Sequence, residues 1–219
     1  VQVRLVDLRG YNFPENWPLK TNGTATDRTV DVYLIGSVYA DALGDTTLNH
    51  LEAAVAEGKG LMMIGGPHSF GPGNYRDSSL SDVLPITIGP LEKEDFGGPP
   101  RRDVHLRNSD DDPNDLRMIP VRPHPVTTIA TPSQNAAVWK RLPELDWANR
   151  FAGVKDTPGT QVLLETAGKN PILVSGEYGR GRVLAFAGDS TWKWLSRPGA
   201  SNFEREHKRF WRQAILWLA

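Results

Sequence analysis

Two apolar runs with an amphipathic stretch between them restrict the fold of this chain more than any other feature of its sequence. The runs are 30–36 (VDVYLIG) and 61–65 (LMMIG). Neither run alternates cleanly, which is typical of parallel strands covered on both faces. The intervening stretch has apolar residues at helical spacing, with Asp45 or Thr46 as a candidate cap and Gly58 as a stop. The pattern therefore predicts a βαβ unit.

The rest of the chain predicts further strands and helices around this unit. Residues 86–125 are dense in Pro and Gly, which indicates an irregular or antiparallel β insertion. A glycine-rich stretch at 176–181 predicts a tight hairpin turn. The other predicted elements are a short helix at 134–142, strands at 161–164, 171–174 and 182–187, and an amphipathic helix from about 203.

Length and composition fit one α/β domain over residues 1–219 with an insertion around 86–125. The chain begins within a strand-like segment (Val1–Leu8), so we expect it to be a fragment of a longer polypeptide. Its formal net charge of −1 gives no overall field for nucleic acid. No stretch reaches the roughly 20 apolar residues of a membrane span.

Two longer motifs resemble a known family. The first is 65–75 (GGPHSFGPGNY), followed by 80–85 (LSDVLP), and the second is 178–194 (YGRGRVLAFAGDSTWKW), followed by 210–213 (FWRQ). Together they resemble the glutamine amidotransferase-like domain of large bacterial membrane-anchored proteins. The resemblance implies a flavodoxin-like, three-layer class I amidotransferase fold with a mainly parallel sheet. It also implies an envelope-associated location, with other domains of the same polypeptide or membrane-associated proteins as partners.

The catalytic residues of that family are missing here. A class I amidotransferase activates a Cys on a sharp strand-to-helix turn and pairs it with a His. The turn after residues 61–64 carries Ser69 instead, and the chain contains no Cys. The place of the family's His-x-Glu motif reads Gly188-Asp189-Ser190-Thr191. The sequence therefore predicts a non-catalytic binding or scaffolding module, a pseudoenzyme without classical glutaminase activity.

Two alternatives keep a function at the same crevice. The first is a hydrolase or transferase that uses Ser69 with a His and Asp189, although His68 is a poor base because adjacent residues on a turn usually point apart. The competing interpretation of Ser69 is that its hydroxyl forms a hydrogen bond with the backbone of its own turn. The second is a sensor for a small ligand, bound by glycine-loop amides and by the other strand-end loop. The candidate ligand-binding residues are Gly65, Gly66, His68, Ser69, Phe70, Asp189, Ser190 and Trp192.

A simpler hypothesis exists for the second loop: Asp189 caps a turn, and Trp192 and Trp194 pack against the last helix. We predict neither a cofactor nor a metal. No phosphate-binding glycine fingerprint is complete. The acidic stretch 110–115 has calcium-like spacing but lacks the turn Gly and the bidentate Glu, and the five His residues show no zinc spacing.

Overall fold

The computed structural model describes residues 30–89, 105–107, 116–195 and 203–219. Within them the chain forms ten strands, five α-helices and two 3₁₀ turns. In chain order these are β1 (Val32–Ile35), α1 (Ala40–Leu43), α2 (Asp45–Ala56), β2 (Gly60–Ile64), α3 (Leu80–Val83), β3 (Ile86–Thr87), β4 (His105–Arg107), β5 (Ile119–Pro120), a 3₁₀ turn (Pro125–Thr127), α4 (Pro132–Arg141), β6 (Trp147–Asn149), β7 (Gly153–Val154), β8 (Gln161–Glu165), β9 (Pro171–Tyr178), β10 (Gly181–Phe186), a second 3₁₀ turn (Ser190–Trp194) and α5 (Glu204–Leu218).

A six-stranded sheet with the order β1-β2-β10-β9-β8-β5 forms the centre of the described structure. Strands β1, β2 and β10 are parallel, whereas β9, β8 and β5 each pair antiparallel with their neighbours. The sheet is therefore mixed, and the expectation of a mainly parallel sheet was wrong. The cause is local, because the tight turn between β9 and β10 can only join antiparallel strands. Gly179 in that turn has a φ of 58°, which favours glycine.

The predicted βαβ unit is confirmed as β1-α2-β2, with β1 and β2 in parallel register. Gly58, with a φ of 115°, follows the last turn of α2 as predicted. The start of the helix differs from the prediction. Its N-cap is Gly44, and Asp45 is already the first helical residue, because the short helix α1 ends immediately before Gly44.

The predicted antiparallel insertion is partly described. Strand β3 pairs with β7 and strand β4 pairs with β6, both antiparallel and outside the main sheet. The predicted strand at Val1–Leu8 and the acidic stretch 110–115 lie outside the described residues.

Helix α5 packs on the sheet through an aromatic cluster. Phe210 lies 5.9 Å from Phe186 of β10 and 5.8 Å from Trp194, between ring centroids. Phe210, Ala214 and Leu218 are the buried residues of the helix, which confirms the predicted inward stripe. At position 60, at the start of β2, a Cβ atom would lie 2.6 Å from the Leu218 Cβ, so glycine allows the helix to approach. None of the helices in the described ranges is long and apolar enough to cross a bilayer.

Candidate functional site

The two sequence motifs meet at the carboxyl edge of the parallel strands. The amide of Gly65, just after β2, donates to the Phe186 carbonyl of β10 at 2.7 Å. The backbones are so close that a Cβ at position 65 would lie 1.9 Å from the Ala187 oxygen. Ligands of open α/β sheets bind at such an edge. The turn after β2 and the loop after β10 are therefore the two walls of the candidate site.

Asn149, at the end of β6, lies between these walls and bonds to both. Its backbone N–H donates to the Ala187 carbonyl at 2.9 Å. Its side-chain Oδ1 accepts from the Gly66 N–H at 2.9 Å, and its Nδ2 donates to the Gly66 carbonyl at 3.2 Å. The side-chain amide thus pairs with the Gly66 backbone as another peptide group would, and Asn149 is only 1% exposed. Protein atoms occupy the space between the walls.

His105 of β4 supports this arrangement from behind. Its Nε2 lies 3.3 Å from the Asn149 Nδ2, and the residue is 2% exposed. Since Nδ2 can only donate, Nε2 must accept, which assigns the ring proton to Nδ1. The rings of His105 and Trp147 pack edge to face, with centroids 5.0 Å apart. Sequence reasoning missed Asn149 and His105, because their only signal was a polar residue in a short alternating segment.

Ser69 is fully buried in the turn after β2. Its hydroxyl donates to the Ile64 carbonyl at 2.8 Å, and its amide donates to the Gly66 carbonyl at 3.1 Å. These bonds hold the turn to the end of β2. The position agrees with the interpretation that Ser69 bonds its own backbone, and it counts against a role as nucleophile, because a nucleophile needs access to substrate.

His68 lies at the rim of the site, whereas Ser69 points inward. The His68 ring lies 4.3 Å from the Tyr39 ring, between centroids, and its amide donates to the Ser37 hydroxyl at 3.1 Å. Tyr39 is 38% exposed. The two neighbours on the turn thus diverge, as their adjacency predicted, and His68 and Tyr39 form an aromatic patch beside the crevice.

The amides of the glycine loop are largely used within the protein. Phe70, a candidate ligand-binding residue, is buried with its ring 5.0 Å from that of Phe151 and has a φ of 55°. Its left-handed backbone turns the chain, so that the Tyr75 amide donates to the Phe70 carbonyl. The amides that donate to protein acceptors are those of Gly65, Gly66, His68, Ser69, Gly73, Asn74 and Tyr75. None of these seven is available to an anion.

The loop after β10 is anchored by two hydroxyls. The Ser190 Oγ accepts from the Asp146 amide at 3.0 Å, and the Thr191 Oγ1 accepts from the Trp211 Nε1 at 3.3 Å. Asp189 occupies the N-cap position of the 3₁₀ turn, but its side chain makes no capping bond. Trp192 is 56% exposed, so most of its side chain lies in solvent rather than against the last helix.

Trp194 does make that predicted contact. It is buried against Phe210 and against His207, at 5.9 Å between centroids. The two tryptophans of the motif thus have different environments, one at the surface and one in the core.

The Asp189 carboxyl is predicted to lower stability at neutral pH. Burial, with a smaller effect of Asp146, raises its pKa, which Lys193 and its own backbone N–H partly oppose. A carboxyl with a raised pKa in the folded state stabilises the protein below its unfolded pKa of about 3.9 and loses that contribution as pH rises through the folded value. Because the residue is more than a third exposed, the effect is modest.

We therefore expect Asp189→Asn to raise Tm at pH 7 and to leave it nearly unchanged at about pH 3, where the carboxyl is protonated in both states. Differential scanning fluorimetry at the two pH values measures this. Asp156→Asn, at an exposed position, is the matched control. An equal shift in Tm at both pH values, or no shift, would contradict a raised pKa of the Asp189 carboxyl in the folded state.

Comparison with known proteins agrees with this architecture. A family model described as "Putative glutamine amidotransferase" matches residues 123–219, which include the second motif. A comparison with curated proteins found no match. The mixed α/β architecture fits an amidotransferase-like fold, and residues 123–219, somewhat less than half of the chain, are similar to that family.

Two solved structures of cytoplasmic proteins from Salmonella typhimurium share the fold. STM3548 superposes with a TM-score of 0.63 at 22% identity, over 86% of this chain and 72% of its own. STM1381 superposes with a TM-score of 0.58 at 24% identity, over 86% of this chain and 71% of its own. At such identities the likeness concerns the fold alone.

Proposed function

We propose that this chain is a glutamine amidotransferase-like module that does not hydrolyse glutamine and acts as a binding or scaffolding domain of a larger, envelope-associated protein. The observation that carries the proposal is the state of the turn after β2. Its only hydroxyl near the expected nucleophile position, that of Ser69, is buried and bonded to Ile64. In the resembled family this turn positions a nucleophile, whereas here it joins β2 to the structure that follows.

The crevice beside this turn supports the same proposal. Glutamine hydrolysis requires an accessible nucleophile with an oxyanion site next to it. Asn149 occupies the space between the two walls. Its Oδ1 accepts the hydrogen bond of the Gly66 amide, which would otherwise face a substrate. A small ligand would have to bind over Asn149 at the rim rather than between the loops.

The rim offers a surface for a partner. Tyr39 is exposed there beside the half-buried His68 ring, and Trp192 is exposed on the loop after β10. Exposed Tyr and Trp side chains are the residue types that most often anchor protein interfaces. We propose that this rim contacts another domain of the same polypeptide or a membrane-associated protein, as the family resemblance implies.

Glutaminase assays on three proteins test the absence of catalysis. We expect no ammonia release from glutamine by the wild-type protein, by Ser69→Ala or by Ser69→Cys, because the side chain at this position is buried. Ser69→Ala should also lower the free energy of unfolding by about 1–2 kcal/mol, since the Ile64 carbonyl loses its donor. Glutamine hydrolysis by the wild-type protein that Ser69→Ala abolishes would refute the proposal. Activity gained only by Ser69→Cys would show that the crevice is open to substrate.

A further inference from the structure

The outer face of α5 carries a row of positive charges. Arg205 precedes Lys208 and Arg209 by three and four residues, and Arg212 follows Lys208 and Arg209 by four and three, which places all four on one side of the helix. They line a groove of about 650 Å³ together with Glu204, Gln213 and Leu216. The whole chain has a formal net charge of −1, so this face is a local concentration of positive charge. We call it the basic face of α5.

Little within the described structure neutralises the basic face. Glu204 forms an ion pair with Lys208 at i,i+4. Within the described ranges no carboxylate forms an ion pair with Arg205, Arg209 or Arg212. Like charges at i,i+4 destabilise a helix by a few tenths of a kcal/mol per pair, which an anionic partner would reverse.

The groove also contains an exposed apolar side chain, that of Leu216, which lies one turn beyond Arg212 and is 56% exposed. A ligand that suits this surface therefore supplies negative charge and an apolar group along one helix face.

The opposite face of α5 limits the choice of partner. Phe210, Ala214 and Leu218 are buried in the core, so the helix has no apolar face left for insertion into a lipid surface. A nucleic-acid backbone supplies charge, but its phosphates supply no apolar group for Leu216. An acidic peptide in an extended conformation supplies carboxylates for the arginines and apolar side chains for Leu216.

We propose that the basic face of α5 binds an acidic peptide segment of a partner protein. Arg209 and Arg212 hold its carboxylates, and Leu216 packs against an apolar side chain. The basic face is formed by α5 alone and is separate from the crevice, so the proposal does not depend on the absence of glutaminase activity.

Fluorescence anisotropy with a labelled peptide of alternating Glu and Leu tests this directly. We expect saturable binding that weakens as NaCl rises from about 0.05 to about 0.5 M. Arg209→Glu/Arg212→Glu should weaken binding at least about tenfold. Leu216→Ser should weaken it less, and without changing the salt dependence. Arg122→Glu/Lys140→Glu, a matched reversal of two exposed charges elsewhere, should leave binding unchanged.

Competing probes separate the proposal from its rivals. A single-stranded oligonucleotide and vesicles containing phosphatidylserine are titrated in parallel with the peptide. Tighter binding of either probe than of the peptide, lost in the charge-reversed variant, would assign the face to that class of partner and overturn the proposal. Equal peptide binding by wild-type protein and by Arg209→Glu/Arg212→Glu, with both shown to be folded by circular dichroism, would also overturn it.

Discussion

Replacing Asn149 by Asp is expected to lower the free energy of unfolding by about 3 kcal/mol or more, the largest effect of a near-isosteric change in this protein. The new oxygen would stand where Nδ2 now donates to the Gly66 carbonyl and meets the His105 Nε2. It would turn two attractive contacts into repulsive ones. The introduced charge would also be buried, since the position is 1% exposed.

The pH dependence of this variant identifies the cause. Because a buried carboxyl facing acceptors has a raised pKa, the loss of stability should be greatest at neutral pH and smaller at acid pH, where the protonated group can donate to Gly66 again. Urea unfolding at several pH values measures it. The control is Asn49→Asp at an exposed position of α2. A loss no larger than that of the control would show that the bonds across the crevice contribute little.

Gly65→Ala is expected to have the second large effect, a loss of about 3 kcal/mol or failure to fold. A Cβ at this position would lie 1.9 Å from the Ala187 oxygen and 2.9 Å from the Asn149 Oδ1. The Ala187 atoms are backbone of the neighbouring segment, which cannot rotate away as a flexible side chain can. The ends of β2 and β10 would have to separate, and the Gly65–Phe186 hydrogen bond would be strained with them.

Gly36→Ala provides a matched control for this prediction. Gly36 follows the neighbouring strand β1 at the same edge of the sheet, but a Cβ there would meet no atom within 4 Å. We expect its midpoint of urea unfolding to stay close to that of the wild-type protein. Unfolding of Gly65→Ala at the same urea concentration as Gly36→Ala would contradict the close backbone approach of Gly65 to Ala187.

Much of the fold was predictable because the signals are local. The apolar run at 30–36 gave β1 and the run at 61–65 gave β2, with Gly58 correctly placed after α2. The hairpin between β9 and β10 followed from its glycines, and the inward stripe of α5 from helical spacing. The start of α2 was missed, because the preceding helix α1 is only four residues long and gives no clear period.

The position of the candidate site was predictable from the sequence, but the side chains that fill it and their hydrogen bonds were not. The strand ends after β2 and β10 located it, and the missing Cys removed the family chemistry. Whether Ser69 faces solvent or the interior depends on which backbone carbonyl its hydroxyl reaches, and that is set by the path of the whole turn. Asn149 reaches Gly66 from 83 residues away along the chain. A contact at such separation leaves no periodic pattern in the sequence.

By itself the sequence determined the longer strands and helices and the absence of a thiol nucleophile, since these depend on residue types at short spacing. Only the tertiary structure decided how the sheet is ordered and what fills the crevice. The sheet combines parallel and antiparallel strands, because the hairpin makes β9 run antiparallel to β10. The tertiary structure also places the Asn149 amide between the two motifs, because long-range packing, not local propensity, determines which buried polar groups become partners.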